Sequence, residues 1–273
     1  MKKFVAGILV TISAITLAAC GSDNESSGGE SKELVVGASV GVHEEVLEKV
    51  QPILEEQGID LVIETYQDYI FPNQDLESDE LDANYFQHIP YLESQIADAG
   101  YDFVNAGGIH IEPIGVYSKK YKSLEELPNG ATILISNSVA DHGRVLSILE
   151  AEGLITLAEG IDKTKAEVKD IVDNPKNLVF EAEYEAALLV QMYENEEGDA
   201  VLINSNYAID AGINPLEDSI AIEKTDSPYV NIIAVKAGNE DNKEVKALVK
   251  ALKSEEIQDF ILEEWGGSVV PVK

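Results

Sequence analysis

Hydrophobic and polar positions along the chain switch between two periods. Leu34-Val35-Val36-Gly37-Ala38 is a short, β-branched apolar run, which predicts a strand. From residue 42 to 56 the apolar residues Val46, Leu47, Val50, Ile53 and Leu54 recur at helical spacing, and Gly58 follows as a stop signal. Residues 60–64 then read as a second strand. The same reading predicts strands over 81–86, 101–105, 114–118, 131–135, 178–181, 200–203 and 229–236. It predicts helices over 91–99, 141–152, 183–194, 244–253 and 255–264, the last capped by Ser254. A β-α-β start implies a parallel sheet with a right-handed crossover. There is no internal repeat and no second low-complexity linker. The body is therefore expected to be two lobes joined by several strands rather than two domains on one tether.

The first thirty residues follow neither period. Met1-Lys2-Lys3 is a positive start, and residues 4–19 carry no charge, a run short of the about 20 apolar residues a membrane span needs. The run ends Leu17-Ala18-Ala19-Cys20-Gly21, which resembles a bacterial lipobox, with Cys20 as the acylated new N-terminus after cleavage. A Gly-, Ser- and acid-rich stretch follows to residue 31 and reads as a flexible tether. The expected organisation is a signal peptide over 1–19 and a lipidated tether over 20–31. Residues 32–117 plus 230–273 then form one lobe and 118–229 the other. The expected location is the extracytoplasmic face of a cell membrane, held by lipid.

Composition narrows the function. The 273 residues carry 51 acids against 19 Lys+Arg, a net charge of −32, and −34 once a signal segment with two lysines and no acid is removed. Such a surface repels phosphate, which excludes nucleic acid as a partner. The single Cys excludes a disulfide framework and a thiolate metal cluster. No Walker-type or dinucleotide glycine pattern is present, so no cofactor is expected.

Four features could carry chemistry. Gly37-Ala38-Ser39-Val40-Gly41 matches G-x-S-x-G between a strand and a helix, the context of a hydrolase elbow with Ser39 as nucleophile. The expected order of Ser, acid, then His fails, because no His follows His142; a small-residue turn facing a cleft is the simpler reading. His110 and Glu112 share one face of a possible strand, but a metal site needs three or four convergent ligands, and none is expected. Aromatics cluster at Tyr66, Tyr69, Phe71, Tyr85, Phe86 and Tyr91 around His88, either as core or as a pocket wall. Arg144 is the single arginine among 19 cations and lies early in a predicted helix, against the dipole preference. Its planar fork suits a carboxylate; a structural ion pair is the equal alternative.

The stretches Asp82 to Tyr91 (DANYFQHIPY) and Ile109 to Ser118 (IHIEPIGVYS) resemble the methionine-binding lipoproteins, the MetQ/NlpA-type substrate-binding proteins of ABC importers. Further matches are Ser123 to Ala131, Gly143-Arg144, Asn174 to Leu178, Ile203 to Ala208 and Asp226 to Asn231. The resemblance implies an α/β, two-lobed periplasmic-binding-protein (type II) fold, each lobe a mostly parallel sheet flanked by helices, without catalytic activity. It implies capture of L-methionine or a close relative and delivery to a permease and its ATPase subunit, by a monomer. Arg144 is then expected to grip the ligand carboxylate and Asn206 and Asn231 to meet the head group. Tyr69, Phe86, His88 and Tyr91 are expected to wall the thioether chain. The chain departs from the family pattern at residues 136–141, where Ser-Asn-Ser-Val-Ala-Asp replaces Pro-Asn-Asp-Pro-Thr-Asn. Another small amino acid, oxidised methionine or a Met-containing peptide therefore stays open as ligand, and a Ser39 esterase as a different class.

Overall fold

The computed structural model describes residues 31–272. The signal segment, Cys20 and the tether as far as Glu30 lie outside the described residues.

The first elements are β1 (Lys32–Ser39), α1 (Val42–Glu55), β2 (Ile59–Tyr66), α2 (Phe71–Glu77), β3 (Ala83–His88), α3 (Ile89–Ala99) and β4 (Phe103–Ile111). They are followed by β5 (Gly115–Tyr117), β6 (Thr132–Ser136), α4 (Val139–Ala151), β7 (Thr156–Leu157), β8 (Ile171–Asp173) and β9 (Val179–Tyr184). Next come α5 (Leu189–Glu194), β10 (Ala200–Ile203), α6 (Ser205–Asp210) and β11 (Ala221–Ile222). The chain closes with β12 (Val230–Lys236), α7 (Lys243–Leu252), α8 (Glu255–Trp265) and β13 (Val270–Pro271).

Two main sheets result. The first has the order β13-β4-β12-β3-β1-β2 and the second β11-β5-β10-β6-β9. The strands joined by helical crossovers, β1 with β2 and β3, and β6 with β9 and β10, pair in parallel. Strands β12, β4 and β13 add antiparallel pairings to the first sheet, and β5 and β11 do so in the second. The sheets are therefore mixed. The reason is the path of the chain: β4 leaves the first sheet at the end where β12 re-enters it, so the two must run in opposite directions. Strand β5 pairs with β10 and β11 in the second sheet, so the chain crosses between the sheets at residues 112–114, a few residues ahead of the expected point near Ser118.

Period-two burial explains why the first sheet is covered on both faces. Leu34, Val36 and Ala38 of β1, with Ile233 and Val235 of β12, pack under α1, α7 and α8. Ile232 and Ala234 of β12 point the other way, against Leu76 of α2 and Leu92 of α3. The second sheet has the same layering: Ile133, Ile135 and Leu202 face α4. Leu134, Val201 and Ile203 face Leu189 and Met192 of α5. Ser254 caps α8 as its side chain accepts from the Ile257 N–H.

The expected helix over 183–194 is shorter than its pattern. Strand β9 runs on to Tyr184, paired with Ser136, and the helix starts only at Leu189. Ladder bonds to β6 override the local helical preference of an Ala- and Leu-rich stretch. Strand β4 is longer than predicted, because pairing to β12 carries it through Gly107-Gly108 with two register shifts.

Candidate functional site

The ends of the strands assemble the site. In the first sheet Asn231, at the start of β12, lies in register with His88 at the end of β3 and with His110 near the end of β4. In the second sheet β6 leads into α4, which carries Asp141 and Arg144, and β10 leads into Asn204, Ser205 and Asn206. Both sheets thus present the carboxyl ends of parallel strands to one crevice, where α/β sheets commonly bind ligands.

All seven residues singled out from the sequence line one cavity: Tyr69, Phe86, His88, Tyr91, Arg144, Asn206 and Asn231. In this conformation its open volume is about 20 Å³, on the scale of a single water. A larger hollow of about 340 Å³ shares Tyr69 and Tyr91 with it and is bounded by residues 137–140 and 185–187. The loop that departs from the family pattern therefore divides: residues 137–140 border the outer hollow and Asp141 the inner cavity.

The aromatic wall is built around Tyr69, whose ring lies 6.0 Å from Phe86, 6.4 Å from Tyr91 and 5.0 Å from Tyr207. Its hydroxyl donates to Asn206 Oδ1 at 2.6 Å. His88 ends β3 and caps α3: its Nδ1 accepts from the Tyr91 N–H at 3.1 Å, with Pro90 in the first turn. The proton is thereby fixed on Nε2, which donates to Asp141 Oδ1 at 3.0 Å.

Arg144 lines the cavity and also makes a structural ion pair with Glu223. Its Nε donates to Glu223 Oε2 at 2.9 Å, its Nη2 contacts the same oxygen, and Nη2 also donates to the Glu112 carbonyl at 2.6 Å. Tyr229 stacks against the guanidinium at 4.7 Å. The forked edge is occupied by Glu223, so a ligand carboxylate would meet Nη1, which lies 3.5 Å from Asp141 Oδ1. Burial disfavours its charge, but Glu223 and Asp141 outweigh that and raise the guanidinium pKa further.

Three acids and a buried histidine cluster were not legible as site residues. Glu112 Oε1 accepts from His110 Nε2 at 2.7 Å and Oε2 from the Asn206 N–H at 3.1 Å. Burial pushes its carboxyl up, but neighbouring His43, His110 and Arg144 outweigh this and bring it down to about 2. Asp141 is likewise opposed by burial, then held well below the carboxylate range by His88 and Arg144. His43 is pushed down to about 4, first by burial, with Glu112 pulling the other way. It is neutral at pH 7, and its Nε2 donates to Asn231 Oδ1 at 3.1 Å. His43, His110 and Glu112 form the one group with metal-ligand proximity among the described residues. Their facing atoms are already engaged, His110 Nε2 with Glu112 Oε1 and His43 Nε2 with Asn231 Oδ1.

Ser39 is not a nucleophile. It is fully buried, it is absent from the cavity wall, and its Oγ–H donates to His43 Nδ1 at 2.8 Å. Its role is to fix the His43 tautomer. The signal that could have exposed Asp141 is spacing, since it stands one helical turn before Arg144.

Two polar atoms of the cavity wall are buried without a partner, Asn206 Nδ2 and Asn204 Oδ1. Such groups are costly unless something pairs with them.

Comparison with known proteins bears on this geometry. Residues 34–273 match the model of a family described as NlpA lipoprotein. A methionine-binding lipoprotein MetQ of Bacillus subtilis is 48% identical, the match covering 100% of this chain and 99% of the relative. A pheromone cOB1 precursor/lipoprotein of the YaeC family from Enterococcus faecalis, of known structure, is 55% identical, with TM-score 0.86 over 88% of this chain and 100% of that one. A nutrient binding protein from Burkholderia cenocepacia, solved bound to methionine, is 42% identical, with TM-score 0.83 over 88% and 100% of the two chains.

Proposed function

Because the chain belongs to the NlpA lipoprotein family, we propose that it is the substrate-binding lipoprotein of an ABC importer, capturing L-methionine or a close relative between two lobes. It is a binding protein and not an enzyme. The observation that carries the reading is the convergence of seven residues from both sheets on one cavity, in which a buried amide donor, Asn206 Nδ2, has no partner. A zwitterion offers that donor a carboxylate. The aromatic wall offers a thioether the ring edges it packs against, at about 0.3–1.5 kcal/mol per contact. The methionine bound to the Burkholderia cenocepacia relative supports the same ligand class.

Lobe one is assigned to the first sheet with its helices and lobe two to the second, with crossings at residues 112–114 and 223–229. Ligand entry requires the lobes to part by hinge motion, since the cavity in this conformation is far smaller than an amino acid. Among the described residues no helix is long and apolar enough to cross a membrane. Independently of that, the lipobox-like end of the leading segment is the basis on which we propose attachment through acyl chains at Cys20, on the extracytoplasmic face, with a permease and its ATPase subunit receiving the ligand from a monomer.

A thermal-shift panel of the twenty amino acids on ligand-stripped protein tests the reading. Methionine is expected to raise Tm most, by mass action on the folded state. A larger rise with a different amino acid would reassign the ligand.

A further inference from the structure

Away from the crevice, α7 carries a charge pattern unlike the rest of the chain. Residues 243–253 read Lys-Glu-Val-Lys-Ala-Leu-Val-Lys-Ala-Leu-Lys, four lysines to one acid. The chain as a whole has 51 acids against 17 Lys+Arg once Lys2 and Lys3 are removed with the signal segment. Lys243, Lys246, Lys250 and Lys253 recur at helical spacing, so they share one stripe about 15 Å long. The buried residues Val245, Leu248, Ala251 and Leu252 face the other way, and all four lysines are exposed. The helix dipole accounts for Lys250 and Lys253 near the last turn but not for Lys243 in the first.

The stripe is also short of internal partners. Lys119, Lys120, Lys163 and Lys169 each sit against an acid. Of the four on α7, Lys246 alone has an ion pair among the described residues, to Asp241 at 2.7 Å, and both groups are well exposed. Such a pair is worth little and exchanges readily. Lys246, Lys250 and Lys253 border one surface recess, with Glu240 and Asp241 beside it.

The chain enters the body next to this stripe. Lys32, the first residue of β1, pairs with Glu244 of α7 at 2.8 Å. Cys20 stands twelve residues earlier, a segment that spans no more than about 40 Å even when fully extended. A body of net charge −34 is repelled by anionic headgroups unless it turns a positive face to them. We infer that the lysine stripe of α7 is the face this protein turns to the membrane, and that its partner there is the headgroup layer of anionic phospholipids. The inference rests on the acyl attachment at Cys20 proposed above. Each lysine close to such a surface favours contact by about fivefold, enough over four lysines to set an orientation. Because α7 covers the first sheet, the contact holds the lobe that carries the tether and leaves the other lobe unconstrained.

The test uses the acylated mature chain in vesicles of phosphatidylcholine alone or mixed with phosphatidylglycerol. Amines are briefly acetylated with a water-soluble reagent, and each site is read by mass spectrometry against Lys165 and Lys224, which are exposed elsewhere on the body. On phosphatidylglycerol vesicles at low salt, the four lysines of the stripe are expected to label about threefold or more slowly than on phosphatidylcholine, with Lys165 and Lys224 little changed. The difference is expected to vanish at about 1 M salt, where the Debye length is about 3 Å. In a variant carrying Lys246→Gln, Lys250→Gln and Lys253→Gln, Lys243 is expected to lose its protection without a change in Tm. Protection shared equally by Lys165 and Lys224, or equally strong on phosphatidylcholine, overturns the proposal. Protein that floats with neither vesicle overturns the acyl attachment itself, and the proposal with it.

Discussion

His43 shows how a single buried side chain couples the site to stability. It is enclosed by Ser39, Asn231, His110 and Glu112 and is held neutral, its pKa pushed from 6.5 down to about 4 mainly by burial. In the unfolded chain it titrates near 6.5, so the unfolded state takes up the proton first as pH falls. The contribution is full above pH 6.5 and is lost between about 6.5 and 4, amounting to about 3 kcal/mol. Glu112, brought down to about 2, acts in the same direction at lower pH, below the ordinary carboxylate value of 4.5. Tm of the wild type is therefore expected to fall across pH 6.5 to 4 more steeply than that of His43→Asn. Parallel Tm curves would contradict the neutral, buried assignment. Arg144 makes a second case. Lys in its place cannot reach Glu223, the Glu112 carbonyl and a ligand at once. Arg144→Lys is expected to weaken methionine binding at least tenfold in calorimetry, on the scale of a lost charge-assisted bond; full affinity would remove Arg144 from the site. Arg144 was legible because it is the single arginine of the chain. Glu112, Asp141 and Glu223 were not, because 51 acids look alike until burial separates them.

At the scale of elements, α4 carries the site, and Gly143 sets where α4 sits. A Cβ at this position would lie 2.2 Å from the Lys163 carbonyl oxygen and 2.8 and 2.9 Å from backbone atoms of Thr164. Backbone cannot swing aside as a side chain can, so the 163–165 turn packs against α4 only because this residue is Gly. Gly143→Ala is expected to cost about 1–3 kcal/mol as an overpacking change. In a domain of this size that lowers Tm by about 2–4 °C per kcal/mol. Ligand affinity is expected to fall with it, since α4 positions both Asp141 and Arg144. A variant with unchanged Tm and affinity would show that the turn yields freely. The elements most legible in the sequence were those with strong periodicity and clear stops, such as β1, α1 and α8. Those missed owe their form to partners: α2 and α6 are short, of seven and six residues, and β11 and β13 have two residues each and exist only through pairing. Strand β4 crosses Gly107-Gly108, and β9 displaces a helical pattern, because ladder bonds outweigh local preference.

For the whole molecule, the two-sheet plan follows from alternating strands and helices without a linker, and the resemblance to a known family gave the pocket its members. What periodicity could not give was the size of the crevice and how its polar atoms are satisfied. With a cavity of about 20 Å³ in this conformation, the proposed binding requires the lobes to part. The cavity walls combine buried acids with a matched Arg and a neutral His43. The most direct test of the central claim is a calorimetric titration of unfolded, ligand-stripped and refolded protein with L-methionine. The account predicts saturable heat at one ligand per chain, lost or strongly weakened in Arg144→Lys. Absence of heat at millimolar methionine, with the refolded protein shown to be native and free of ligand, would contradict it.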